Sequence, residues 1–366
     1  MRGKESTRYT HEELTARLSG NGKEKKKDNV ATVQKGIPFS EAELGLDPRV
    51  KDFLKQVNPS IRRPMETKDL EEIRSQKKIE NIDMSHNIKA EIEYLYLEDH
   101  TLKLRVYNRT NTSKPALIYY HGGGFFDRDE EVIENVCKFL AETSNTVVIA
   151  VEYRLAPEYP YQDGLDDCLE TVRHVYEFPE RFRINSSQIG LVGDSVGGNL
   201  ALGVQHLSRK EEWRINYIGL FCPLVDLSDI SRNSWNIEHY SMAEDEELIR
   251  TELISMKESL YFIQTLYLEN LKDVLIPLVS PLLRENKGKM PPVFITTAEF
   301  DFLRLQGEQF TSQLMDRGLS VRHIEYKGMA HAFVRKLGYY PQAYDAIIEL
   351  SAHFNETLAN QKTEDE

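Results

Sequence analysis

Two different periods of apolar residues divide the chain into strands and helices. Eight short apolar or alternating stretches predict strands: IKAEIEYLYLE, LKLRVYN, ALIYY, TVVIAV, QIGLVG, YIGLFC, PVFITTA and VRHIEY. Longer amphipathic stretches between them predict helices: EEVIENVCKFLAETS, GLDDCLETVRHVYEF, VGGNLALGVQHLSRK and LQGEQFTSQLMDRG. Strands that alternate with helices predict an α/β fold, with a mostly parallel eight-stranded sheet and helices on both faces.

Three stretches fall outside this alternation. Residues 1–36 are polar and lysine-rich, so we expect a disordered tail. Helical spacing in 37–85 predicts helices that contribute to a cap, and 231–275 is too long for a plain crossover and predicts a helical cap insertion. The α/β core is then expected to comprise residues 86–230 and 276–360.

Composition narrows the function classes. The chain has 366 residues, of which 46 are Lys or Arg and 59 are Asp or Glu, and its formal net charge is −13. This acidic balance argues against a dedicated nucleic-acid binder. No signal-peptide core or membrane-length apolar run occurs, so we expect a cytoplasmic location and no membrane span. Monomer and homodimer both stay open.

The three cysteines do not suggest a metal site. Cys137, Cys168 and Cys222 are widely spaced and lie in apolar stretches, without a Cys-x-x-Cys pair. We expect them to be buried hydrophobic residues, and we expect neither a metal nor a cofactor.

A Gly-x-Ser-x-Gly motif suggests nucleophilic chemistry. Ser195 lies between Gly193 and Gly197, after a predicted strand and before a predicted helix, which is the setting of a nucleophile elbow. The alternative is a glycine-rich turn without chemistry. A dinucleotide loop is disfavoured because Gly-x-Gly-x-x-Gly is absent here.

A serine nucleophile needs a base, and the base needs an acid. Glu299 and Asp301 follow one predicted strand, and His331 follows the next, so the chain order is serine, acid, histidine. A lone histidine is more often structural, but this order favours a triad. Both acids remain candidates on position alone.

Three consecutive glycines after the strand ALIYY suggest an oxyanion loop. His121 precedes Gly122, Gly123 and Gly124. Acyl transfer builds negative charge on the carbonyl oxygen, and backbone N–H groups must approach it closely. Glycine permits that approach because it has no Cβ.

Together these motifs resemble the hormone-sensitive-lipase branch of the α/β-hydrolases, which includes bacterial carboxylesterases and arylacetamide deacetylase. The matching stretches are HGGGF, EYRLAPE, GDSVGGNLAL, SPLL, TAEFDFLR and GMAHAF, spread over about residues 47–358. The resemblance implies the α/β-hydrolase fold with a helical cap, Ser195 as nucleophile and His331 as base. It favours Asp301 over Glu299 as the acid.

The same resemblance implies roles for the surrounding residues. Gly123, Gly124 and the amide of Val196 match the oxyanion hole, and His121 is expected to shape the loop by side-chain hydrogen bonds. In EYRLAPE, we expect a structural ion pair between Arg154 and Glu158.

Three positions depart from the family pattern. Val196 replaces the usual alanine, Phe302 replaces a proline and Ala332 replaces a glycine. Val196 is expected to narrow the acyl pocket.

The implied function is hydrolysis of small carboxylic esters with apolar, short-to-medium acyl chains, through an acyl-enzyme. An amidase or deacetylase would use the same groups. A non-catalytic receptor of the gibberellin-receptor type is a further alternative, although such receptors lack the histidine that is present here as His331.

Overall fold

The computed structural model describes residues 9–19, 22–27, 30–38, 45–56, 70–75, 80–128, 132–228, 235–242, 244–285 and 290–364. Parts of the expected tail, of the 37–85 region and of the 231–275 insertion lie outside these ranges. The described helices are α1 (His11–Ser19), α2 (Pro48–Gln56), α3 (Leu70–Ser75), α4 (Glu134–Thr143), α5 (Tyr161–Glu177), α6 (Pro179–Phe182), α7 (Val196–Leu207), α8 (Glu246–Tyr267), α9 (Arg304–Met315) and α10 (Pro341–Glu364).

Within the described residues, ten strands form one sheet in the order β1-β2-β10-β9-β8-β7-β5-β6-β4-β3. They are β1 (Gly22–Lys27), β2 (Val30–Lys35), β3 (Ala90–Tyr96), β4 (Thr101–Tyr107), β5 (Lys114–Tyr120), β6 (Val147–Glu152), β7 (Ile184–Asp194), β8 (Tyr217–Phe221), β9 (Val293–Phe300) and β10 (Val321–Ala330). Strands β3 to β10 are the eight that the apolar pattern predicts.

The central strands are parallel and the two ends of the sheet are antiparallel. From β2 to β6 every neighbouring pair runs parallel, whereas β1 pairs with β2, β4 with β6 and β3 with β4 in antiparallel register. All residues of β8 and β9 are buried, as expected of strands covered by helices on both faces. The carboxyl ends of β5, β7 and β9 therefore open on one edge of the sheet, where such folds bind ligands.

The expectation of a disordered tail at 1–36 is wrong for the residues that the structure describes. Strands β1 and β2 form a hairpin that extends the sheet beside β10, which raises the strand number from eight to ten. Lys35 is buried at the end of β2, and its Nζ lies 2.5 Å from Asp345 Oδ2 and 2.7 Å from Glu349 Oε1 of α10. The exposed lysines of β1 discourage further pairing at this edge.

The two regions expected to form the cap, 37–85 and 231–275, contact each other. Lys51 of α2 forms an ion pair with Asp245, and the same carboxylate accepts a hydrogen bond from the Leu46 amide. Asp245 directly precedes α8, the 22-residue helix of the insertion. Among the described helices, none is long and apolar enough to cross a membrane. The cytoplasmic location and the choice between monomer and homodimer stay predictions.

Candidate active site

A sharp turn between β7 and α7 presents Ser195. Its backbone has φ 54° and ψ −120°, a conformation that costs roughly 1–3 kcal/mol for a residue other than glycine. The flanking glycines make the turn possible. A Cβ on Gly197 would overlap the carbonyl oxygen of Tyr120, and one on Gly193 would overlap the backbone of Gly197. The motif is thus required by backbone packing in the turn.

A continuous chain of hydrogen bonds joins the three residues of the predicted triad. The distance from Ser195 Oγ to His331 Nε2 is 2.9 Å, and from His331 Nδ1 to Asp301 Oδ2 it is 2.8 Å. Asp301 is buried, and its other oxygen accepts the amide of Leu303 at 2.8 Å. Asp301 therefore lies where it can hold the imidazole with Nδ1 protonated, which leaves Nε2 free to accept the serine proton.

The structure separates the two candidate acids. Glu299 forms an ion pair with Lys327 and accepts the amide of Gly328 at 2.8 Å, so its carboxylate is engaged away from His331. Burial raises the pKa of Glu299, and the Lys327 ammonium opposes this rise. Of the two candidate acids, Asp301 is the one that is hydrogen-bonded to the histidine.

Beneath Asp301 lies a buried thiol. Burial, together with the charge of Asp301, raises the pKa of Cys222 well above its usual value. The thiol therefore stays protonated. All three cysteines are buried and free, and the described residues contain no group of three or more His, Cys, Asp or Glu side chains placed to bind a metal.

The glycine loop lies over the serine turn. Gly123 and Gly124 have φ of 105° and 63°, values that favour glycine. Both line a cavity of about 230 Å³ together with Ser195, Val196 and His331. Val196 is the first residue of α7, so its amide lies at the positive end of a helix dipole. The predicted oxyanion residues and the triad serine and histidine thus meet in one cavity.

His121 and Gly122 shape this loop from beneath. His121 is buried, its Nδ1 donates to the carbonyl of Gly122 at 2.6 Å, and its ring stacks on Tyr153. The Gly122 amide donates to Asp194 Oδ1 at 3.0 Å, so it is engaged within the protein. This leaves Gly123 and Gly124 as the loop residues that line the cavity.

Asp194 joins the glycine loop, strand β5 and the segment that follows His331, a role that sequence reasoning missed. Besides the Gly122 amide it accepts the Tyr119 hydroxyl at 3.1 Å and the Arg335 Nε at 2.7 Å. Arg335 comes four residues after His331. Asp194 is adjacent to Ser195 and Arg335 is close to His331, which could have drawn attention to both residues. Nothing in the sequence, however, indicates that they contact each other.

The expected ion pair between Arg154 and Glu158 is wrong. Arg154 instead pairs with Asp163 and Asp167, at 2.9 and 3.0 Å. Glu158 pairs with Arg74 of α3, whose guanidinium also donates to the carbonyls of Phe126 and Ala156. Arg154 and Glu158 are close in sequence, but each of them pairs with a residue of a helix, α5 and α3 respectively.

Comparison with known proteins shows the family. A family model described as the alpha/beta hydrolase fold matches residues 117–335. The chain belongs to the α/β-hydrolase family. This α/β-hydrolase is 27% identical to an arylesterase from Saccharolobus solfataricus over 65% of the chain and 74% of the relative. It is 30% identical to an ethyl acetate hydrolase from Pseudomonas putida over 65% and 73%, respectively.

Solved structures extend the similarity beyond the matched core. A hyperthermophilic esterase from Pyrobaculum calidifontis superposes with a TM-score of 0.69 at 26% identity, covering 86% of this hydrolase and 99% of that chain. An arylesterase superposes with a TM-score of 0.73 at 25% identity, covering 86% and 100%. The predicted fold and the predicted resemblance to hydrolases of this branch are confirmed.

Helix α8 of the insertion forms one wall of the cavity. Met256, Leu260 and Ile263 line it, and Phe126 faces them from the glycine loop. Tyr267 at the end of α8 stacks on Phe125, with ring centroids 3.6 Å apart. Of the two phenylalanines in the loop, Phe125 therefore packs in the core and Phe126 forms part of the cavity wall.

Proposed function

We propose that this α/β-hydrolase is a carboxylic-ester hydrolase that works through an acyl-enzyme. The observation that carries the proposal is the unbroken chain from Ser195 Oγ through His331 to Asp301, with distances of 2.9 and 2.8 Å. The names of its relatives, an arylesterase and an ethyl acetate hydrolase among them, support the same reaction.

In the proposed reaction, Ser195 Oγ attacks the ester carbonyl carbon while His331 Nε2 accepts the hydroxyl proton. The carbonyl oxygen becomes an oxyanion, which the amides of Gly123, Gly124 and Val196 stabilise. Collapse of this intermediate expels the alkoxide, which takes the proton from His331. Water then attacks the acyl-serine ester with His331 again acting as base, and the acid is released with Ser195 restored.

The cavity supports a preference for short-to-medium acyl chains. Its volume of about 230 Å³ lies below the range of roughly 300–1,000 Å³ usual for pockets that hold drug-sized ligands. The residues that α8 contributes to its wall, Met256, Leu260 and Ile263, are apolar, and Val196 lines it beside the serine. An acyl chain of a few carbons fits this space better than a long fatty chain.

Hydrolysis of p-nitrophenyl esters from acetate to dodecanoate tests the proposal. We expect turnover that declines at the longer chains, and a Ser195→Ala variant that loses activity by three orders of magnitude or more, on the order of the loss seen when a triad is dismantled. Ser259→Ala is the matched control, because Ser259 lines the same cavity but donates its hydroxyl to the Ser255 carbonyl within α8.

The alternatives give different results in the same assay. An amidase or deacetylase would also hydrolyse p-nitroacetanilide, in a reaction that Ser195→Ala abolishes, whereas an ester hydrolase would turn over the ester alone. A folded wild type that is inert toward every ester and anilide would contradict the hydrolase proposal and favour a ligand receptor. The hydrogen bond between His331 and Ser195 disfavours that receptor.

A further inference from the structure

The cap insertion reaches the loop that carries Asp301. Tyr240 lies in the insertion, outside the cavity, and its side chain is buried. Its hydroxyl donates to the backbone carbonyl of Asp301 at 2.9 Å, with a longer contact of 3.3 Å to the carbonyl of Phe302. Burial raises the pKa of Tyr240, so the phenol stays protonated and remains a donor.

Two further contacts hold the same segment of the insertion against the same loop. The Arg304 guanidinium lies 4.6 Å from the centre of the Tyr240 ring and donates to the His239 carbonyl at 2.9 Å. The Trp235 ring lies 5.1 Å from that of Phe302. Residues 235–242 of the insertion are therefore docked on the residues that follow β9.

These contacts act on the peptide that sets the direction of the Asp301 side chain. The Asp301 carbonyl accepts the Arg304 amide as well as the Tyr240 hydroxyl, and Asp301 Oδ1 accepts the Leu303 amide. With these bonds in place, Oδ2 points at His331 Nδ1. Loss of the phenol donor would leave a buried carbonyl with a single partner and give the peptide more rotational freedom.

We propose that Tyr240 is a positioning residue for Asp301, so that the cap insertion sets the alignment of the Asp301–His331 pair. The inference rests on the proposed function, because an alignment matters only if His331 acts as a base. The inference gives the insertion a second role besides lining the cavity, because Tyr240 does not line that cavity.

Poorer alignment of Asp301 with His331 has a kinetic effect that partial unfolding of the protein does not have. The Asp301 carboxylate stabilises the positive charge that the imidazole gains when it accepts the serine proton, so poorer alignment lowers kcat and moves the acid limb of kcat/KM to lower pH. The other charged groups that line the cavity with His331 are Asp127 and Arg335, and neither is changed. The Cys222 thiol, which lies next to Asp301, is also unchanged in this variant.

The test compares Tyr240→Phe with wild type, using p-nitrophenyl acetate between pH 5 and 8.5. We expect kcat to fall about three- to tenfold, as for loss of one buried hydrogen bond. KM should stay within about twofold, because the contact lies outside the cavity. Tyr240→Ala, which also loses the ring under Arg304, should lower kcat further.

Tyr261→Phe is the matched control, because this tyrosine lies on α8 in the same insertion but is 54% exposed. We expect its kcat, KM and pH profile to match those of wild type. Titration with a fluorophosphonate counts reactive serines in every variant, so that rates are expressed per competent site and a folding defect is separated from misalignment.

Two outcomes would overturn the inference alone. One is an active wild type with a Tyr240→Phe variant of equal kcat and pH profile. The other is a fall in rate that vanishes after correction for titrated serines, with an unmoved acid limb, which would make Tyr240 structural only. A wild type that neither hydrolyses the ester nor reacts with the fluorophosphonate would overturn the proposed function, and the inference with it.

Discussion

The turn that carries Ser195 and the loop that carries Asp301 both follow buried strands of the same sheet, yet they are held in different ways. Backbone contacts hold the serine turn, where Gly197 packs against the carbonyl of Tyr120. Side chains from the cap hold the acid loop, through Tyr240 and Trp235. The serine turn depends on glycines that fit the backbone around them, and the acid loop depends on cap side chains about sixty positions away in the sequence, so substitutions in the two should have different effects.

The largest effect is expected at the serine turn. Gly197→Ala places a Cβ into backbone atoms that cannot move aside, so we expect no folded protein or a loss of at least about 4 kcal/mol in the free energy of unfolding. Chemical denaturation measures it. Gly36→Ala is the control, since no atom lies within 4 Å of its added Cβ, and it should stay close to wild type. A Gly197→Ala protein of wild-type stability would show that the turn is adaptable.

Substitution at the acid loop should remove activity while the protein stays folded. Asp301→Asn keeps the shape but favours the wrong imidazole tautomer, and we expect kcat to fall by about three to four orders of magnitude. Glu299→Gln, at the end of the same strand, should keep most of the activity because its carboxylate pairs with Lys327. Ester hydrolysis measured beside the melting temperature separates the two effects. Equal losses of activity in both variants would contradict the assignment of Asp301.

The smallest effect is expected at His323 in β10, the strand that leads to His331. His323 in this strand is buried between the hydroxyls of Thr32 and Thr297, each 2.9 Å away, and burial lowers its pKa to about 4. As pH falls below 6.5, the unfolded chain takes up the proton before the folded protein does, so the folded state loses stability.

Between pH 6.5 and about 4, this histidine should lower the free energy of unfolding by up to about 3 kcal/mol, with no further loss from it at lower pH. Urea denaturation at a series of pH values measures the slope, and His323→Gln should flatten it. If the free energy of unfolding of the variant depended on pH as steeply as that of wild type, groups other than His323 would be responsible for the loss of stability in acid.

Sequence reasoning was most successful where the constraint is local. The eight core strands follow from apolar runs, because parallel strands covered on both faces need apolar residues on both sides. The serine turn follows from Gly193 and Gly197, since only glycine fits those contacts. Between Glu299 and Asp301, position alone left both acids open, and only the resemblance to known hydrolases favoured Asp301.

The chain by itself thus determined the order of elements, the glycine loop and the serine turn, because the residues that indicate each of them lie within one short segment of the sequence. Tertiary structure alone decided the hairpin at 22–35, the partners of Arg154 and the contact of Tyr240 with Asp301. Lys35 is polar in isolation and would favour a solvated tail, but Asp345 and Glu349 compensate its charge and allow its burial. Such partners lie hundreds of residues away, and no local pattern of apolar and polar positions records them.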